Sequence, residues 1–143
     1  MRDYCANELH LERKGNRVHW PNRDTEQKDS SHGTEITRIN FWAIFRANEV
    51  HVIFDPASGG SASDLAMTFA LNELVKLSLF RYLIPRKKVV IVNPIEVDLA
   101  IQRETEEQVA KGVDPKFVKS YTMILRNFAE ETRYHTTDVL YRF

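Results

Sequence analysis

The alternation of helical and strand-like segments predicts an α/β fold: a three-layer sandwich in which helices cover both faces of a mostly parallel sheet of four or five strands. Three observations carry that expectation. Short strand-like runs recur as "NRVHWP", "EVHVIF" and "KVVIVN". Between them lie segments with apolar residues at helical spacing. The 143 residues, 43% hydrophobic and 28% charged, suit one compact domain with a single core, residues 1–143.

Taken in order, residues 3–14 read as a short helix with Tyr4, Leu9 and Leu11 as its apolar members and Gly15 as a C-cap glycine. "NRVHWP" follows as a strand ending at Pro21, and "NRDTEQKDSSHG" as a polar loop without periodicity. "TEITRINFWAIFRAN" places Ile36, Ile39, Ala43, Ile44 and Ala47 on one helical face, with Thr34 as N-cap. Residues 49–54 are a β-branched strand, and Ser61 to Phe80 a helix with a broad apolar stripe. "KVVIVN" is a continuous apolar run of the kind buried on both faces of a sheet. Helices are expected again at 96–111 and 115–133, the second with Phe117, Tyr121, Ile124, Leu125 and Phe128 as its face. "TTDVLYRF" closes the chain as a strand or an arm.

Composition excludes several classes. Lys plus Arg and Asp plus Glu balance at 20 each, so no strongly basic surface for a nucleic acid polymer is expected. A single cysteine, Cys5, rules out an internal disulfide and a cysteine-rich metal site. The five histidines lack the i, i+4 spacing of a helical metal motif, so no metal is expected. Apolar runs fall far short of the roughly 20 residues that cross a bilayer, and the first residues lack a signal-peptide core. The expectation is a cytoplasmic protein without membrane contact.

"DPASGGSASDLAMTFAL", residues 55–71, is the stretch richest in chemistry. Its structural reading is complete in itself. Ser61 and Asp64 have capping-box spacing, and the glycines permit a tight strand-to-helix turn. The functional reading uses the same geometry. Gly59, Gly60, Ser61 and the first helical amides form an anion site suited to a phosphate, with Ser58, Ser61 and Ser63 hydroxyls beside it. Asp55, at the end of a strand, and Asp64 would then share a cleft at the carboxyl edge of the sheet. Two carboxylates beside a phosphate site suit chemistry at the anomeric carbon of a nucleotide's sugar.

Residues 40–71, "NFWAIFRANEVHVIFDPASGGSASDLAMTFAL", resemble the nucleoside 2-deoxyribosyltransferase-like superfamily, which includes deoxynucleoside 5′-monophosphate N-glycosidases. That pattern is a helix ending in Ala-Asp, a strand ending in Asp, a small-residue loop and a Glu-Leu-Gly helix start. Ala47-Asn48, Asp55 and Asp64-Leu65-Ala66 stand in those places. "GNRVHWPNRD" is similar to the family's second strand and "KKVVIVN" to the strand after the motif helix. The resemblance implies a flavodoxin-like sandwich, N-glycosidic bond chemistry on a nucleoside or nucleotide, no cofactor, and a homodimer that shares its active site. It makes Asp64 the nucleophile and Asp55 the ligand of sugar hydroxyls or base. Two departures stand out: Asp64 replaces a glutamate, and the family's usual first strand is missing, with "DVLYRF" the one spare strand-like segment. Both departures favour the alternative reading, a catalytically inactive nucleotide-binding sensor or scaffold.

Overall fold

A computed structural model of the chain describes residues 2–77 and 79–134. Helix α1 (Arg2–Arg13) leads through a turn at Gly15 to the short α2 (Pro21–Asp24) and then to α3 (Thr34–Arg46). Strand β1 (Glu49–Val52), helix α4 (Gly59–Val75) and strand β2 (Lys88–Ile91) form one parallel β-α-β unit. Helix α5 (Pro94–Ala110), a 3-10 turn (Pro115–Phe117) and α6 (Tyr121–Tyr134) complete it. Gly15 takes a φ of 82°, as a helix-ending glycine should.

The expected sandwich of four or five strands does not form. Among the described residues the chain is mostly helical and its sheet has two strands, β1 beside β2. The segment read as the first strand is consumed locally. Trp20 N–H donates to Asp24 Oδ2 at 2.8 Å, and Val18 O accepts from Arg23 at 3.1 Å. Trp20 O takes the amides of Arg23 and Asp24. Pro21 therefore opens a helical turn, where its missing N–H costs nothing. Arg23 also pairs with Glu8 and Glu12 of α1, tying the first helix down. Its guanidinium holds the Asp24 carboxyl down at about 2. "DVLYRF", the spare strand, lies outside the described residues.

Other boundaries shift for local reasons. Helix α3 is capped by Asp29 of the preceding loop in place of Thr34: Asp29 Oδ2 accepts from the amides of Glu35 and Ile36. Hydrogen bonds from Ser31 and those amides hold the Asp29 carboxyl at about 2. Helix α4 ends at Val75, short of Phe80, and 115–133 divides into a 3-10 turn and α6.

Two buried clusters meet along α4. Val52, Phe54, Leu65, Val89, Val97, Ala100, Leu125 and Phe128 join the sheet to α4, α5 and α6. Ile44, Leu71 and Ile84 join α3 to the far end of α4.

A two-stranded parallel sheet of four-residue strands leaves most of its backbone groups to find partners elsewhere. Lys88 N–H and Val92 N–H donate to β1, so Lys87 and Val89 face away from it. Asn72 of α4, itself 3% exposed, accepts from Lys87 N–H at 2.7 Å and donates to Lys87 O at 2.8 Å. Thr132 of α6 accepts from Val89 N–H at 2.9 Å. Beyond the last strand bond, Asn93 Oδ1 accepts from Phe54 N–H at 2.8 Å and its Nδ2 donates to Phe54 O at 2.9 Å. The Lys87 side chain, fully buried, runs the other way: Nζ donates to Phe45 O and Ala47 O, the last carbonyls of α3, at 2.7 and 2.8 Å. Burial pushes its pKa down to about 8.

Asn72→Ala strips a buried N–H and C=O of their partners together, so it is expected to lower unfolding free energy by about 2–4 kcal/mol in urea titration. The exposed Asn127→Ala stays within about 0.5 kcal/mol. Because the folded Lys87 loses its proton near 8 while an unfolded lysine holds it to 10.5, the unfolded state binds more protons in that window. Stability therefore rises with pH from about 8 to 10.5, and Lys87→Met removes that rise.

Candidate functional site

The β1-to-α4 connection is built in three steps. Asn93 pins Phe54, so the chain leaves the sheet at Asp55 in a fixed direction. Asp55 Oδ1 then accepts from Ala57 N–H at 2.9 Å and Asp55 O from Ser58 N–H at 3.0 Å, closing a turn. Ser58 ends it as the N-cap of α4, its hydroxyl oxygen accepting from Ser61 N–H at 3.4 Å and Ser61 Oγ–H at 3.2 Å. The cap spacing is thus Ser58 to Ser61, not Ser61 to Asp64. Asp64 lies more than a turn inside the helix and has no capping task.

Freed from capping, the half-buried Asp64 side chain lies near Asn40 of α3 and His19. Burial raises its pKa above the usual carboxylate range. The neighbouring Asn40 side chain of α3 and the His19 imidazole act in the opposite direction. The Asn40 Oδ1 atom is buried without a hydrogen-bond partner among the described residues. Tyr121, at the start of α6, is half-buried over the same turn and donates its hydroxyl to Ser61 O at 3.0 Å. Burial, then the charge of Asp64, pushes the Tyr121 phenol upward. His19 itself bridges Thr25, 3.4 Å from Nε2, and Asp24, 4.0 Å from Nδ1.

Gly60 and Ser61 lie four and three residues before Asp64, so the three share a helix face. The face runs from the carboxyl down to the first amides of α4. An ideal Cβ on Gly59 would meet nothing within 4 Å, so that turn is open to an approaching group. Ser63 is exposed.

The structure therefore unites part of the set expected from sequence. Asp64, Ser61, Gly60, Gly59 and Ser58 belong to one helical start. Asp55 is exposed and turned into its own loop, and the charged group acting on Asp64 is His19. Asn40 and Tyr121 were not singled out for chemistry. Asn40 carried a signal: it interrupts the half-buried stripe of α3 between Ile39 and Ala43. Tyr121 carried none beyond helical spacing, because its contact with Ser61 spans sixty positions. Asn93, at the end of the "KVVIVN" run, is spent on the sheet.

Among the described residues, no group of three His, Cys, Asp or Glu side chains comes together to hold a metal ion, and no helix is long and apolar enough to cross a membrane. The open hollow beside the start of α3, lined by Glu26, Lys28, Asp29 and Glu35 among others, contains none of the residues around Asp64. Comparison with protein-family models, curated proteins and solved structures yields no match.

A carboxyl whose folded pKa is raised stabilises the fold below its ordinary titration and loses that contribution as pH climbs through the raised value. Asp64→Asn keeps the shape and removes the buried charge. Its unfolding midpoint is expected to equal or exceed that of the parent at pH 7, and to lack the part of the parent's decline that sets in as pH rises above the ordinary aspartate value of 3.8.

Proposed function

We propose that this chain cleaves or transfers at the N-glycosidic bond of a nucleoside or nucleotide, with Asp64 as the reacting carboxylate. The observation that supports it is the placing of Asp64: partly desolvated, beside the Asn40 side chain, and on the same helix face as the open α4 amides. The resemblance over residues 40–71 adds the substrate class, and its helix, strand, small-residue turn and second helix occur in that order as α3, β1, the 55–58 turn and α4.

In this reading the ionised Asp64 meets the anomeric carbon as the bond to the base lengthens. Asn40 fixes the carboxylate and favours its charged form against burial. The amides of Gly59 and Gly60, with Ser61, receive the 5′-phosphate. Asp55 contributes through its second oxygen, the first being taken by Ala57 N–H. The homodimer implied by the resemblance would use the outer side of α6 and the preceding turn, where Ile124 and Phe117 are exposed.

The turned-away Asp55 favours a second reading, a nucleotide-binding sensor or scaffold without turnover. Incubation with a panel of deoxynucleosides and their 5′-monophosphates separates the two. The enzyme releases free base, and Asp64→Asn lowers the rate about 10²–10⁴-fold. Asn40→Ala lowers kcat about tenfold with KM little changed, as expected of a positioning group. Binding by calorimetry without base release leaves the sensor; no binding and no release defeats both.

A further inference from the structure

The turn between α4 and β2 presents apolar side chains that the fold holds outward. Phe80 is half-buried and Ile84 is 5% exposed, both in the cluster with Ile44 and Leu71. Backbone bonds from Phe80 to Leu77 O, and from Leu83 and Ile84 to Phe80 O, fix the turns between them. With those two residues anchored, Leu79, Tyr82 and Leu83 stand in solvent at 72%, 79% and 68% exposure. Leu77, just after α4, is 55% exposed.

The rim of this surface is cationic. Lys76 is matched by Glu73 and Glu131, and Lys88 by Glu49. Arg81 lies against the Tyr82 ring, 4.8 Å from its centroid, and donates to the Tyr82 hydroxyl at 2.6 Å. Arg86 stands close enough to Lys76 for their charges to interact, and its Nε is buried without a partner. Among the described residues neither Arg81 nor Arg86 has an acidic partner.

We propose that Leu77 and residues 79–86 dock this protein onto an anionic lipid surface. Leu79, Tyr82 and Leu83 enter the interfacial layer, and Arg81 and Arg86 meet the headgroup phosphates. Protruding apolar groups suit a deformable bilayer better than a rigid protein groove. Tyrosine and arginine together are at home at the headgroup level. A two-fold contact centred on this surface would bring the same cationic rim from both copies together, a like-charge arrangement that disfavours self-association. The proposal departs from the expectation of no membrane contact, which rested on the lack of a spanning segment and of a signal-peptide core. About 17 Å of helix separates Asp64 from Val75, so a docked molecule keeps the Asp64 face clear of the lipid. The proposal is independent of what Asp64 does.

Flotation with vesicles of phosphatidylcholine alone, and of phosphatidylcholine with phosphatidylserine, tests it. The full chain is expected to float with the anionic vesicles at least ~10-fold more than with the neutral ones, and to be released as salt rises from about 0.1 to 1 M. Leu79→Ser combined with Leu83→Ser lowers recovery about tenfold with an unchanged circular dichroism spectrum. Arg81→Gln weakens binding to anionic vesicles alone, and covers the case in which Arg86→Gln fails to fold. Absence of flotation, or flotation indifferent to L79S/L83S, overturns the proposal. So does a dimer abolished by L79S/L83S without vesicle binding, which assigns the surface to a second copy. Capture by polyglutamate but not by vesicles overturns it in favour of an acidic protein partner.

Discussion

A parallel sheet of two four-residue strands cannot satisfy its own backbone, and the fold depends on side chains that do so for it. Asn72 and Thr132 stand where a further strand residue would stand in a wider sheet, and Asn93 stands where the two strands would pair if they were longer. The two asparagines are the stronger pair because a carboxamide presents a donor and an acceptor in the geometry of a peptide group. Each therefore closes two bonds with a single backbone residue, Lys87 in one case and Phe54 in the other. Each such bond contributes on the order of 1 kcal/mol net, but an unmade buried one costs more, so these positions have little latitude.

The same bonds aim the candidate site. Asn72 fastens the fourth turn of α4 to the start of β2, while Asn93 fixes the chain at Phe54, just before α4 begins. Held at both points, α4 keeps one rotation about its axis, with Leu65 and Leu71 in the two buried clusters. That rotation carries Asp64 to Asn40 of α3 and brings Ser61 under Tyr121 of α6. Embedding at Asp64 is thus set by interactions several residues away. The charge on that carboxyl is disfavoured by burial and supported by Asn40 and His19, a balance suited to a group that must be reactive yet held in place.

Legibility in the sequence follows the range of each interaction. The helices at α3, α4, α5 and α6 and the strands β1 and β2 were readable because their apolar spacing is local. The sandwich was not, because "NRVHWP" looks extended until Arg23 and Asp24 are seen to take its backbone groups. Strand count depends on which partners are present, and no periodicity encodes that. Within 55–71 the helix start and its small residues were legible, whereas the cap fell one helical turn early, on Ser58. One oxygen of Asp55 is taken by a local competitor, the Ala57 amide two residues on, which its sequence position alone does not announce. Asn40, Tyr121 and His19 meet Asp64 only through tertiary packing, and a single sequence offers just the oddity of an asparagine in an apolar stripe.

The central claim is that Asp64 is an embedded carboxyl whose protonation Asn40 controls. Site-resolved carbon NMR titration of the aspartate side chains measures this directly. The account predicts that Asp64 titrates above the ordinary aspartate range, and higher still in Asn40→Ala. Titration of Asp64 within that ordinary range, unmoved by loss of Asn40, would contradict it.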